Sequence, residues 1–367
     1  MPSNEEVISK KPLERFPPLN PVCEVMNIDG VTLLPWNHNV RGKLWPWSKL
    51  QFSNAKELAL HINTYGENSM VFIDGRRSNT AIGEVYDRES GDVYDLLSEL
   101  AKKNHQIIAG DWMSEFGDHT LKQYNEELFS KTLIFGSGYG VIGIILFKFL
   151  RFFSELPSHK NVNFRMNRRD FLKLAGASLA SAGLAYSVLT AVQEQRAHDT
   201  TVNILNCRKF PDNTDPYFGD MLPRNVINHR KMMNMQKRLG SEASMFEVWG
   251  NSHFHPEILS TLRQKNIDIT AFVRQILRRE YDFLKENGKD DENALERVVE
   301  LHVNMARADI LKPNREGEKI VLDYYPGLDT PWYYDSEILP QSQNRPIQSI
   351  TEAQETAKQQ LHSIINV

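Results

Sequence analysis

A chain of 367 residues is too long for a minimal binding module and implies one large domain or two ordinary ones. With 41% hydrophobic and 25% charged residues it has ordinary globular material, which excludes a disordered chain, a collagen-like repeat and a polytopic channel. The 43 basic and 47 acidic residues leave a net charge of −4, so no global field draws nucleic acid, and two cysteines, Cys23 and Cys207, exclude a disulfide framework while leaving a single bridge open.

Residues 1–27 read as a polar, proline-rich N-terminal extension in which Met1 to Pro21 carries no apolar signal-peptide core. From 28 to 130 short apolar runs alternate with helical periodicity, the pattern of βαβ units and a mostly parallel sheet flanked by helices. Val31 to Leu34 predicts the first strand. Asn54, with Glu57 three residues on, resembles a capping box for a helix whose inner face is Ala55, Leu58, Ile62 and Tyr65. Met70 to Ile73 is a second strand, Asp92 to Lys103 a helix with Val93, Leu96, Leu97 and Leu100 inward, and Gln106 to Ala109 a third strand.

Residues 131–193 break the pattern. Thr132 to Leu150 and Phe171 to Val192 are apolar runs near the length of a membrane span, the first with only Lys148 as a charge, the second with Gly176, Ala180 and Gly183 at helix-packing spacing. The mean hydropathy of −0.46 conceals them. They predict a transmembrane helical hairpin, against the alternative of two helices buried in the fold. The linker carries Arg151, Lys160, Arg165, Arg168 and Arg169 against Glu155 and Asp170, which the positive-inside bias places in the cytoplasm. Asn167-Arg168-Arg169-Asp170-Phe171-Leu172-Lys173 also looks like a twin-arginine export signal, with Met166 as an alternative start. The expectation is a membrane-associated protein. The side of the α/β domain stays open, because a cytoplasmic linker puts the domain outside while no N-terminal signal delivers it there.

Residues 194–330 return to α/β grammar. Asn225 to Leu239 predicts a helix with Val226, Met232 and Met233 inward, Met245 to Trp249 a strand, Pro256 to Gln264 a helix and Ile267 to Phe272 another strand. Helices over Ala271 to Asn287 and Asp291 to Ile310, a loop over Leu311 to Glu318 and a strand over Lys319 to Tyr325 follow. Residues 331–367 form a C-terminal extension with a polar helix from Ile350.

Ligands of a parallel sheet bind beyond the carboxyl ends of its strands, and the residues there are polar. They are His38, Asp74 and Asp111 after the first three strands, and His253 and His255 in Trp249-Gly250-Asn251-Ser252-His253-Phe254-His255. Such a set suits a divalent metal ion or acid/base chemistry, although singly a histidine after a strand is more often a cap and Asp-Gly more often a turn. Metal ligation falls on His38, Asp74, His253 and His255; imidazole also serves without metal as a general base or oxyanion donor.

At these residues the chain resembles the TraB family, the pheromone-shutdown and TIKI-type group distantly related to erythromycin esterases. Gly250-Asn251-Ser252-His253 fits the family's second Gly-x-x-His motif, and Arg224-Asn225 its Arg-Asn pair. Two positions depart: Pro35-Trp36-Asn37-His38 has proline for the first motif's glycine, and Asp74 stands where the family usually has glutamate. The resemblance spans residues 28–115 and 220–272. It implies a metal-dependent hydrolase or peptidase in which His38, Asp74, Arg224 and His253 form the catalytic set, with Arg224 meeting a substrate carboxylate or an oxyanion. Because some members are known only as regulators, it equally admits a non-catalytic protein that binds a small molecule or peptide and signals through the hairpin.

Overall fold

The computed structural model describes residues 24–36, 52, 54–120, 122, 195, 198–203, 205, 216–239, 244–325, 338–339, 347 and 349–365. Among them, eight strands form one sheet in the order β1-β2-β6-β3-β5-β7-β8-β4. The strands are β1 (Met26–Ile28), β2 (Val31–Trp36), β3 (Met70–Ile73), β4 (Val85–Tyr86), β5 (Gln106–Ala109), β6 (Met245–Gly250), β7 (Asp309–Glu316) and β8 (Lys319–Tyr324). The helices that pack on them are α1 (Ala55–Asn63), α2 (Asp92–Ala101), α3 (Pro216–Leu239), α4 (Pro256–Leu262), α5 (Ile269–Glu286), α6 (Asp291–Ala306) and α7 (Ile350–Ile365).

Strand alternation sorts the core into two layers. Val71, Ile73, Phe246, Val248 and Ile107 face α1 and α2, whereas Met70, Phe72, Met245, Trp249 and Ile108 face α3 to α7. The chain is therefore α/β with helices on both faces of the sheet. Strand β6 of the second half lies between β2 and β3 of the first, so the two halves share one sheet.

The expected mostly parallel sheet is corrected to a mixed one. The pairs β2–β6, β6–β3 and β3–β5 are parallel, and β1–β2, β5–β7, β7–β8 and β8–β4 are antiparallel. Turn chemistry sets two of the antiparallel pairs, β1–β2 and β7–β8. Asp29 and Gly30, at φ 50° and 90°, make a two-residue hairpin turn between β1 and β2, and Gly317 at φ 63° does the same between β7 and β8.

Other boundaries move for local reasons. Asn54 caps α1 by accepting the Glu57 amide at 3.0 Å, as expected, but Tyr65 falls past the helix end and is 50% exposed. The expected strand at Ile267 to Phe272 is instead the start of α5, because Asp268 accepts the Ala271 amide and caps a helix there. The expected loop at Leu311 to Glu318 lies largely in β7, and α6 ends at Ala306. Pro313 is tolerated inside that strand because its neighbour on β8, Leu322, directs its own N–H and C=O toward Glu84 and Gly83, so Pro313 faces β8 as a non-hydrogen-bonded pair. On the other side β5 pairs only as far as Leu311, and no donor is required of the proline.

Helix α3 starts nine residues before Asn225 and runs through Pro223. A proline there removes the hydrogen bond to the carbonyl four residues back, Gly219. Arg279 of α5 replaces it, donating from Nη1 to that oxygen at 2.7 Å.

No helix among the described residues is long and apolar enough to cross a membrane. The expected hairpin at 131–193, Met166, His38 and both cysteines lie outside the described residues.

Candidate active site at the β3–β6 crevice

The four central strands β2, β6, β3 and β5 run parallel, and their carboxyl ends share one edge. After β3 the chain goes to the α1–α2 face, whereas after β6 it enters α4, whose Ile258 and Leu262 pack on the opposite face. Neighbouring strands whose connections diverge in this way open a crevice between them. Asp74 follows β3 directly and His253 follows β6 in a short 3-10 turn over Asn251–Phe254, so both stand at that crevice.

Asp111 is the hub. One of its oxygens accepts the Trp112 amide at 2.9 Å, Asn228 Nδ2 at 2.9 Å and Arg224 Nε at 2.7 Å. The other accepts the Gly75 amide at 2.6 Å and Arg224 Nη2. The helix side of this grip is a polar stripe on α3. Arg224, Asn228 and Lys231 stand at i, i+4 and i+7 on one face, all buried, and all bond to Gly110 or Asp111. Gly110 lets the segment between α6 and β7 approach closely, since a Cβ there would lie 2.9 Å from the Ala308 Cβ and 3.1 Å from the Arg307 carbonyl oxygen.

From this anchored position Arg224 also donates from Nη2 to Asp74 Oδ1 at 2.6 Å. The other carboxylate oxygen of Asp74 lies 3.3 Å from His253 Nε2. His253 is fixed on two further sides: its Nδ1 is 2.7 Å from Asn225 Oδ1, and its ring stacks on Trp249 with centroids 4.6 Å apart. Asn225 Oδ1 accepts only, so Nδ1 carries the proton and Nε2 faces Asp74.

Burial opposes the Arg224 charge, but Asp111 first and Asp74 second outweigh it and hold the guanidinium protonated beyond its ordinary range. Four residues earlier on α3, Asp220 is fully buried with neither carboxylate oxygen hydrogen-bonded among the described residues. Burial raises its pKa, opposed by Arg224 and Arg279. Burial likewise pushes the Lys231 ammonium down to about 7, although it donates to the Gly110, Asn304 and Arg307 carbonyls.

Of the residues singled out from sequence, Asp74, Arg224 and His253 come together. The Nδ1 of His255 caps α4 by accepting the Glu257 amide at 3.2 Å. Among the described residues no group of three His, Cys, Asp or Glu is placed to hold a metal ion. Arg224 is paired with two carboxylates of the protein, Asp74 and Asp111. Asn228 and Asp220 escape a reading by strand ends because they sit inside a helix; their signal is a polar i, i+4, i+8 series, Asp220, Arg224 and Asn228, along one side of it. No family model matches the chain, and no curated protein or solved structure matches it.

Proposed function

We propose that the chain is a TraB-like hydrolase whose reaction centre is the Asp74–His253 pair, acting on a peptide or ester bond with a divalent metal ion. The observation that carries this reading is the pair's geometry. Two ligands held at 2.0–2.2 Å by one tetrahedral ion lie roughly 3.4 Å apart, and Asp74 Oδ2 and His253 Nε2 are 3.3 Å apart. Asn225 on the other imidazole nitrogen is the outer partner that orients a ligating histidine. Asp74 and His253 would hold the ion, with His38 as the further donor implied by the resemblance; a bound divalent ion supplies Lewis acidity and lowers the pKa of water.

The chain's own groups have separate tasks in this proposal. Asp74 would hold the ion through Oδ2, while Arg224 fixes the Asp74 carboxylate through Oδ1 and balances its charge instead of binding substrate. Asp111 holds Arg224, and Trp249 holds the His253 ring by stacking on it. The apolar runs within 131–193 anchor the domain to a membrane in the same proposal.

Titration of Zn²⁺ and Mn²⁺ into the purified chain, beside hydrolysis of peptide and ester panels, tests it. Stoichiometric binding and turnover, both lost in His253→Ala and Asp74→Asn, are expected. Absence of ion binding together with unchanged activity and ligand affinity in His253→Ala refutes it. A second reading, a ligand-binding regulator signalling through the hairpin, is favoured by one observation: the cation expected to meet an oxyanion is already neutralised by Asp74 and Asp111. It predicts stoichiometric ligand binding without turnover, and a chain lacking Thr132 to Val192 that folds and binds but no longer acts.

A further inference from the structure

Glu247 is a carboxylate where the strand pattern calls for an apolar side chain. It lies in the middle of β6, fully buried, and its partners in the parallel register are Leu33 of β2 and Phe72 of β3, both buried and apolar. Residues paired across a sheet share a face, so Glu247 points with Leu33 and Phe72 toward α3. A carboxylate taken out of water there opposes folding unless its oxygens are matched. Both oxygens have partners: Oε1 lies 3.0 Å from His229 Nδ1, and Oε2 accepts Trp249 Nε1 at 2.9 Å. An indole N–H only donates, so an acceptor oxygen is what position 247 supplies to it.

Trp249 follows Glu247 by two residues and so faces the same way. Its ring lies against the His253 imidazole, with centroids 4.6 Å apart and planes inclined by 28°. On α3, Asn225 and His229 stand at i and i+4 and divide the support of His253 between them. Asn225 meets Nδ1 directly at 2.7 Å, whereas His229 acts through Glu247 and Trp249. The two supports differ in kind. A hydrogen bond at Nδ1 anchors one edge of the ring and leaves its plane free to tilt; a stacked indole fixes the plane, and with it the direction of Nε2, which lies 3.3 Å from Asp74 Oδ2.

We propose that Glu247, braced by His229, is a positioning residue for His253 and acts through the Trp249 indole. Without the bond to Oε2 the indole N–H is buried and unmatched, and the ring turns to find another acceptor or water, which takes the flat support from the imidazole. That His253 belongs to a reaction centre rests on the hydrolase reading; the support itself does not.

Proton–carbon NMR of the histidine-labelled full-length chain, free of added ion, tests this, with the His253 ring signal identified by its loss in His253→Gln. The ring protons of the wild type should lie upfield of their position in the urea-unfolded chain, because the indole ring current shields a stacked neighbour. Glu247→Gln keeps an oxygen for Trp249 Nε1 and should keep the displacement, whereas Glu247→Met, similar in shape, should lose most of it. Trp249→Phe keeps a ring and removes the N–H that Glu247 accepts, so Glu247→Met should add nothing in that background. If Glu247→Met does not fold, Glu247→Met/His229→Leu replaces both partners of the buried pair by apolar groups, the exchange that buried pairs tolerate best, and should show the same loss. An unchanged His253 signal in Glu247→Met or the double variant, equal loss in Glu247→Gln and Glu247→Met, or a full further loss from Glu247→Met on the Trp249→Phe background overturns the proposal. The spectrum is taken without ion or substrate, so its outcome is separate from the ion titration that tests the hydrolase.

Discussion

Arg224→Met is the sharpest probe of how the candidate site is held together. The guanidinium is 8% exposed and lies between Asp111, 2% exposed, and Asp74, 15% exposed. Methionine keeps much of the volume and removes the charge, leaving two carboxylates near each other with their cation gone. Breaking a buried ion pair from one side costs about 3–5 kcal/mol, more than the net worth of the pair, because the remaining charge is uncompensated. Asp111 keeps the Gly75 and Trp112 amides and Asn228, so the lower half of that range applies. At roughly 2 °C of melting temperature per kcal/mol for a chain of this size, the variant should melt about 6–8 °C below wild type. Combining it with Asp111→Asn should recover more than half of the loss, since only Asp74 then lacks its cation and His253 remains beside it. Differential scanning calorimetry on the four chains of this cycle gives the coupling. A shift of less than about 2 °C in Arg224→Met, or a double variant no more stable than the single, would refute the account of Asp111 as an anion that Arg224 must balance.

Three further outcomes follow from other buried groups. Asp220 has a raised folded pKa, so the native state binds more protons than the unfolded one and stability falls as pH rises above the unfolded value near 4; Asp220→Asn should therefore gain stability over wild type at pH 7 and little at pH 4, and equal gains at both would contradict the assignment. His302 is the opposite case. Burial lowers its pKa to about 4, against the backbone bond its Nε2 makes to Ile338, so its contribution is complete above pH 6.5 and is lost as pH falls toward 4. The loss is on the order of 3 kcal/mol, and a urea series over that interval should show a shallower slope for His302→Gln than for wild type. Gly117 has no room for a side chain, because a Cβ would lie 1.9 Å from Asp220 Oδ1. Gly117→Ala should cost about 1–3 kcal/mol by thermal melting, and an unchanged melting temperature would show that Asp220 swings away freely.

Local pattern carried a reader close to the candidate site. Asp74, Asp111 and His253 are visible as polar residues ending apolar runs, and the Arg224-Asn225 pair is visible as a motif. What the pattern missed depends on distant partners. The strand-like run at Ile267 to Phe272 is helical because Asp268 caps it, and α3 passes Pro223 because an arginine from α5 meets the freed carbonyl. The antiparallel outer strands were partly legible, since Asp29-Gly30 is a hairpin dipeptide. Pro313, by contrast, conceals a strand whose tolerance for proline is evident only from its neighbours' pairing.

Sequence by itself determined the α/β class, the polar residues at the strand ends and most of the inward faces of α1 and α2, where Tyr65 is exposed and Tyr94 is buried more deeply than Val93, because burial at helical and strand periods is written into neighbouring positions. Tertiary structure alone decided that β6 inserts between β2 and β3. That insertion sets His253 against Asp74 and lets α3 carry Arg224 to a carboxylate 150 residues earlier in the chain. It also decided that Arg224 serves the protein's own carboxylates and that His255 serves a helix end. The physical reason is that a charged side chain takes its function from the opposite charge it is buried against, and that partner is chosen by the order of strands across the sheet.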